Sequence, residues 1–277
     1  MKILILLILI VCIAGSEAVA QNPTSDPHSH PSGVPARDPS KDPLIVAPRA
    51  YKVEFENDWV RVWRVHYGPR EKIAEHYHTE RGSAYVYLND GGPIIFKHVK
   101  LPYGDITRAA TKAGSFRLYR GLKEVHAVEN PTDTPSDFLR VEFKTEPVNE
   151  NTLRGKFYRE PSPAGENSRK VQFENEQVRI TRIVLAPHNT MDVSANAAEP
   201  ALLVSIGASP LRGVGPKGEA RVSLEMGKTV WLDAGRSESL ENPGDSPGEL
   251  LQFEFKTKPF DDPNDRTAKQ ERKHSGR

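Results

Sequence analysis

The feature that most constrains this chain is a repeat. Lys52-Val53-Glu54-Phe55-Glu56-Asn57 recurs as Lys170-Val171-Gln172-Phe173-Glu174-Asn175, at an offset of 118 residues. At the same offset Val60-Arg61-Val62-Trp63-Arg64-Val65 recurs as Val178-Arg179-Ile180-Thr181-Arg182-Ile183. Further on, Glu129–Pro147 pairs without a gap with Glu241–Pro259, and eleven of those nineteen positions are identical. The offset there is 112, so the second copy is shorter in its middle. A period of this size exceeds that of any solenoid unit and fits two copies of one small domain. Within the first copy, Val60–Val65, Ala84–Leu88, Ile94–His98, Phe116–Tyr119 and Phe138–Phe143 are short β-branched or aromatic segments between Gly, Pro, Asn and Asp. No window shows the spacing of an amphipathic helix of ten or more residues. The pattern predicts an all-β protein of sandwich or barrel type.

The sequence outside the repeat divides the chain further. Lys2, the apolar run Ile3–Ala14 and the small-residue ending Ala18-Val19-Ala20 have the layout of a secretory signal peptide over residues 1–20. The run is short for a bilayer span, which takes about 20 residues. Cleavage after Ala20, and a secreted or periplasmic protein, are therefore expected. Cys12 is the single cysteine and would leave with the signal, so the mature chain needs no disulfide in an oxidising compartment. A cysteine zinc site and a thiol redox motif are excluded. Residues 21–49 carry seven prolines among polar residues and are expected to be a disordered arm. Two domains follow, at 50–147 and 169–259, joined by a linker at 148–168 and closed by a polar tail at 260–277. Lys plus Arg total 38 against 37 Asp plus Glu, which gives no electrostatic case for a nucleic-acid partner. No membrane contact is expected after signal cleavage, and an oligomer is left open.

Of nine histidines, His28 and His30 lie in the proline-rich arm, where no scaffold organises them. His66, His98, His188 and His274 stand alone and read as surface or satisfied side chains. His76-Tyr77-His78 differs, because residues two apart on a strand share a face and two imidazoles can point at one ion. Gly68-Pro69 precedes it, Asn89-Asp90-Gly91-Gly92 follows, and His126-Ala127-Val128-Glu129-Asn130 comes about fifty residues later, after Ala113-Gly114.

In these two segments the chain resembles the cupin superfamily. The resemblance implies metal-ligand roles for His76, His78 and His126, with Asn130 completing the second motif. It implies a bicupin of two tandem jelly-roll (double-stranded β-helix) barrels, the first bearing the metal site and the second degenerate. Three departures from the family pattern stand out. The motif glutamate would fall at Gly82 or Ser83, neither of them a carboxylate, which leaves Glu80 as a fourth ligand or acid/base candidate. Gly68 lies seven residues before His76 instead of five. The Gly114-to-His126 interval is one residue longer than the motif, with Arg120 where proline is usual. Tyr85, Tyr87 and Arg120 are the pocket candidates beside the ligands.

The second copy serves as a comparison inside the same chain. Offset 118 sets His76 against Ser194 and His78 against Asn196, and offset 112 sets His126 against Glu238. Copy two folds without these imidazoles, which assigns them to chemistry and not to the core. Arg64 and Arg182 recur in both copies and read as structural. Three imidazoles with no thiolate suit one divalent transition metal, iron first, with Mn, Ni, Cu and Zn as the other candidates. The leading function is a metal-dependent small-molecule enzyme of dioxygenase type. Two alternatives stand beside it: a metal- or ligand-binding cupin without turnover, and a non-redox isomerase or lyase.

Overall fold

A computed structural model describes residues 38–100, 104–160, 165–215 and 220–260. The expected signal peptide, the arm up to residue 37 and the tail from residue 261 lie outside the described residues. The first copy contains β1 Tyr51–Glu56, β2 Val60–Tyr67, β3 Lys72–Tyr77, β4 Ser83–Tyr87 and β5 Ile94–His98. It continues with β6 Ile106–Arg108, β7 Phe116–Tyr119, β8 Val125–Glu129 and β9 Ser136–Phe143, and β10 Gly155–Phe157 follows it. The second copy contains β11 Ser168–Glu174, β12 Val178–Leu185, β13 Thr190–Ser194, β14 Ala201–Ser205 and β15 Leu211–Val214. Its remaining strands are β16 Ala220–Leu224, β17 Thr229–Leu232, β18 Ser237–Glu241 and β19 Gly248–Phe255.

The duplication is complete at the level of strand order. The first copy's large sheet runs β1-β2-β9-β4-β7-β10 and the second copy's runs β11-β12-β19-β14-β17. The small sheets run β3-β8-β5-β6 and β13-β18-β15-β16. One irregularity is shared too: a bulge between Val53 and Phe55 recurs between Val171 and Phe173.

Strand alternation builds the layers. Along β9, Leu139, Val141 and Phe143 face one way and Phe138, Arg140 and Glu142 the other. The first set joins Val60, Val62, Ala84 and Val86 against Val178, Ile180, Leu251, Phe253 and Phe255 of the second copy. The two large sheets thus pack on each other through their outer faces. Their inner faces meet the small sheets, through Trp63, Tyr67, Ile94 and Val128 in copy one and Ile183, Val193, Leu211 and Leu240 in copy two. Each large sheet is therefore covered on both faces, which is why β9 and β19 are buried along nearly their whole length.

A pair of arginines locks the copies together. Arg64 donates from Nη2 to the Gly227 carbonyl across the interface (2.8 Å), and Arg182 donates from Nη2 to the Gly114 carbonyl in the opposite direction (2.7 Å). Both glycines hold left-handed φ values, +79° and +75°. A Cβ on Gly227 would stand 2.5 Å from Arg64 Nη1, so the close approach needs glycine there. The structural reading of this pair has its explanation in these two bonds.

Three expectations are corrected. None of the four sheets closes on itself, so the copies are not jelly-roll barrels but pairs of open antiparallel sheets. Packing of the large sheets on each other holds them as layers, and in copy one β10 occupies the β7 edge that closure would require. That same strand comes from the segment expected to be a linker, whose Leu153 is buried in the shared core. Finally, residues 38–49 are not a free arm. They form a 3-10 turn, Pro39–Lys41, and a short helix, Pro43–Val46. Asp42 caps the helix by accepting from the Leu44 N–H (2.8 Å), and Leu44 and Ala47 pack on the first copy's core.

Because the copies share one apolar layer, urea should unfold them in a single transition, and two resolved transitions would show independent domains. Phe253→Ala removes a fully buried ring from that layer and should cost about 3–5 kcal/mol, read from the same curves. Deleting residues 21–49 should lower the melting temperature, while deleting 21–37 should leave residues 38–49 docked and the melting temperature close to the full-length value.

Candidate metal centre

The small sheet of the first copy aligns three histidines. His76 on β3 pairs with His126 on β8, and His126 pairs on its other side with His98 on β5. The register of β3 against β8 slips by one residue between Ile73 and His76. That bulge keeps Ile73 and His76 on the same inward face despite their odd spacing. It also places the Ala74 carbonyl 2.9 Å from His76 Nδ1. A carbonyl only accepts, so Nδ1 carries the proton and Nε2 carries the lone pair. Nε2 accepts from the Tyr51 hydroxyl (2.8 Å), which is also hydrogen-bonded to Tyr67 (2.8 Å).

His78 follows directly after β3, and its ring stands 4.9 Å from His76 and 5.1 Å from His126, centroid to centroid. One nitrogen from each of His76, His78 and His126 lies within 4.8 Å of the others. His126 is 3% exposed, and neither of its ring nitrogens has a hydrogen-bond partner. Burial holds His76 at about 4 and His126 at about 3, and pushes His78 well below its ordinary value. All three are neutral near pH 7 and each carries a lone pair; that of His76 accepts from Tyr51, so an ion bound there would take the place of this hydrogen bond.

A second convergent group, His98, Glu124 and His126, shares one member with the first. Its other two members are engaged with each other. His98 donates from Nδ1 to the Gly104 carbonyl (3.0 Å), and its Nε2 lies 3.1 Å from Glu124 Oε2. The Tyr119 hydroxyl donates to Glu124 Oε1 (2.7 Å). Burial draws the Glu124 carboxyl upward, but the bonds from His98 and Tyr119 and the neighbouring His126 outweigh it and hold the group at about 2. His98 is raised, its burial outweighed by Glu124. The ion pair leaves His98 no lone pair to offer, so His76, His78 and His126 are the stronger ligand set.

His78, His98, Glu124 and His126 border a cavity of about 240 Å³, lined also by Tyr85, Phe96, Phe138 and Arg140. Of the pocket candidates, Tyr85 lines this cavity. Tyr87 borders a smaller neighbouring pocket, and Arg120 is exposed and hydrogen-bonds Asn151 (3.0 Å). Glu80 belongs to neither convergent group among the described residues. Of the two readings given for His98, surface or satisfied, the structure shows the second, with Gly104 and Glu124 as its partners. The sequence reading missed Glu124 and Arg140 altogether. Strand alternation carried a signal for both, since Glu124 precedes His126 by two and Arg140 lies between the inward Phe138 and Glu142. Tyr51 and the pairing of His98 with His126 depend on strand order, which no local pattern carries.

Pairing also corrects the comparison with copy two. Val193 pairs with Glu238, the counterpart of His126, so Val193 and Ala195 take the places of His76 and His78, not Ser194 and Asn196. The extra residue in the β3 bulge shifts the offset by one. Tyr85 stands opposite Arg140, and its counterpart Leu203 stands opposite Gln252. Val193, Ala195, Leu203 and Leu232 form one apolar core in copy two. The same scaffold therefore carries an apolar core in one copy and a cavity edged with charged and imidazole groups in the other.

A buried imidazole with two unpartnered nitrogens is costly unless something binds it. Three neutral imidazoles converging from one direction fit a divalent transition metal. No protein-family model and no curated protein matches the chain. Solved structures do. AerE from Microcystis aeruginosa aligns with a TM-score of 0.52 at 9% identity, over 74% of this chain and 91% of that one. YhaK from Escherichia coli aligns with a TM-score of 0.50 at 15% identity, over the same shares. At such identities the likeness concerns the fold alone.

Burial sets a pH dependence for the metal-free protein. The unfolded chain takes up protons on these histidines below about pH 6.5, while the folded protein resists until about pH 4. Their contribution to stability is thus complete above pH 6.5 and is lost as pH falls through that window. Urea midpoints should drop between pH 7 and pH 5, and the drop should be smaller in His126→Leu. An equal drop in both proteins would assign it elsewhere.

Proposed function

We propose that this chain is an exported, metal-dependent enzyme acting on a small molecule, with one divalent transition-metal ion held by His76, His78 and His126. The observation that carries the reading is His126, buried between two other neutral imidazoles with no hydrogen bond at either ring nitrogen and with Glu124 Oε1 3.7 Å from its Nδ1. A ferrous ion would supply oxygen activation there, and a redox-inert ion would polarise a carbonyl. The dioxygenase reading is favoured within this proposal because the ligand set is all imidazole and the cavity beside it is largely apolar.

The chain's own residues have separable tasks in this reading. The Ala74 carbonyl orients His76 and fixes which nitrogen faces the cavity. Tyr119 and His98 keep the Glu124 carboxylate ionised next to His126, where it holds a negative charge against the ligand set. Phe96, Phe138 and Val65 exclude water from the reacting volume. Export rests on residues 1–20 and on a mature chain without thiols.

Elemental analysis of purified protein should give about one equivalent of transition metal, and about none in His76→Ala or His126→Ala. Two equivalents, or full retention in both variants, would overturn the site. Oxygen consumption over a panel of small acids and diketones tests the chemistry. Turnover that requires O2 supports the dioxygenase, whereas tight binding without turnover would make the chain a binding protein.

A further inference from the structure

The cavity's charges do not balance. Arg108, Arg117 and Arg140 line it, against the single carboxylate of Glu124, which is already engaged by His98 and Tyr119. Arg140 is the most enclosed, at 2% exposure. Its Nη2 donates to the Thr79 carbonyl (3.2 Å), and its Nε lies 3.2 Å from Glu142 Oε1. Glu142 is shared with a second buried guanidinium, since Arg61 Nη1 stands 3.5 Å from its other oxygen. The Nη1 of Arg140 has no partner at all. Arg108 and Arg117 lie over aromatic rings, Arg108 over Phe138 at 5.1 Å and Arg117 over Tyr85 at 5.3 Å, and Arg140 itself stands 5.7 Å from the centre of the Tyr85 ring. Three guanidiniums around one largely apolar cavity, the most buried of them only half compensated, make a place prepared for an anion.

Copy two shows that folding does not require this charge. Gln252 occupies the position of Arg140 and donates from Nε2 to the Ser194 carbonyl (2.9 Å), a backbone bond like that of Arg140 to Thr79. Glutamine thus suffices for the structural half of the task. What arginine adds is a permanent charge and the additional donor.

We propose that the cavity binds a small organic carboxylate, its carboxylate group paired with Arg140 and its apolar body lying between Phe96 and Phe138. This assigns a substrate class to the site proposed above and depends on the three-histidine reading only for which end of the molecule reacts. Recognition is by one anionic group, because the guanidiniums that line the cavity are set in a wall whose surface is otherwise mostly apolar.

The test is calorimetric titration of Zn(II)-reconstituted protein with benzoate and with benzamide, which share shape but not charge. Wild-type protein should bind benzoate at least ~10-fold more tightly than benzamide, as expected for a desolvated charge-assisted pair. Arg140→Gln should abolish that preference with the thermal transition retained, and Arg140→Lys should keep part of it. Equal affinity for the two probes, binding of neither at millimolar concentration, or unchanged benzoate preference in Arg140→Gln would each overturn the proposal. Metal content measured on the same samples separates the two readings. Wild-type protein that holds no zinc yet prefers benzoate would sink the metal site and leave this inference standing. Protein that holds zinc without the preference would do the reverse.

Discussion

The apolar layer between the two large sheets carries the rest of the structure. Phe143, Phe253 and Phe255 meet there with aliphatic residues from seven strands, all of them shielded from water. A small β domain with a polar interior has little apolar area to bury on its own account. Here the first copy buries its large sheet twice, once against its own small sheet and once against its neighbour. The second burial is indifferent to what lines the inner face. A cavity lined by three arginines and three histidines is tolerable in copy one because cohesion is supplied from behind.

Inside that cavity, burial and hydrogen bonding separate groups that would otherwise behave alike. His76, His78 and His126 are stripped of water and kept neutral. His98, a strand away, is paired with Glu124 and pushed towards the charged form. Four imidazoles on adjacent strands thus divide into three with lone pairs to offer and one without. The division follows from the position of a single carboxylate, two residues before His126.

Local pattern in the sequence carried the duplication, the strands and the His76–His78–His126 set, because repeats and alternation are properties of neighbouring residues. It did not carry the sheet closure, which depends on what covers the outer faces, and these are covered only by the partner copy. Residues 38–49 looked like an arm because their prolines and polar side chains bury little as a segment. Leu44 and Ala47 dock on a surface made by distant strands. The bulge in β3 was visible only as a motif interval two residues too long. Its effect on the alignment with copy two, Val193 in place of Ser194, required the pairing of β13 with β18. Glu80 follows His78 by two residues along the chain, whereas Glu124 is the carboxylate that converges on His98 and His126 in space, brought in by the strand order β3-β8-β5.

The reciprocal bonds of Arg64 to Gly227 and Arg182 to Gly114 have the form of a two-fold symmetric contact, in which each side gives what it receives. Between separate identical chains, such a contact obliges both partners to carry the same interior. Any residue that hollows one subunit hollows the other, and its destabilisation is doubled. On a single chain the symmetry survives only where the halves touch. Leu203 and Gln252 can fill one half while Tyr85 and Arg140 open the other, and the contact between them registers no difference. The fusion of two like halves is in this sense a division of labour, with one half kept solid so that the other can be empty.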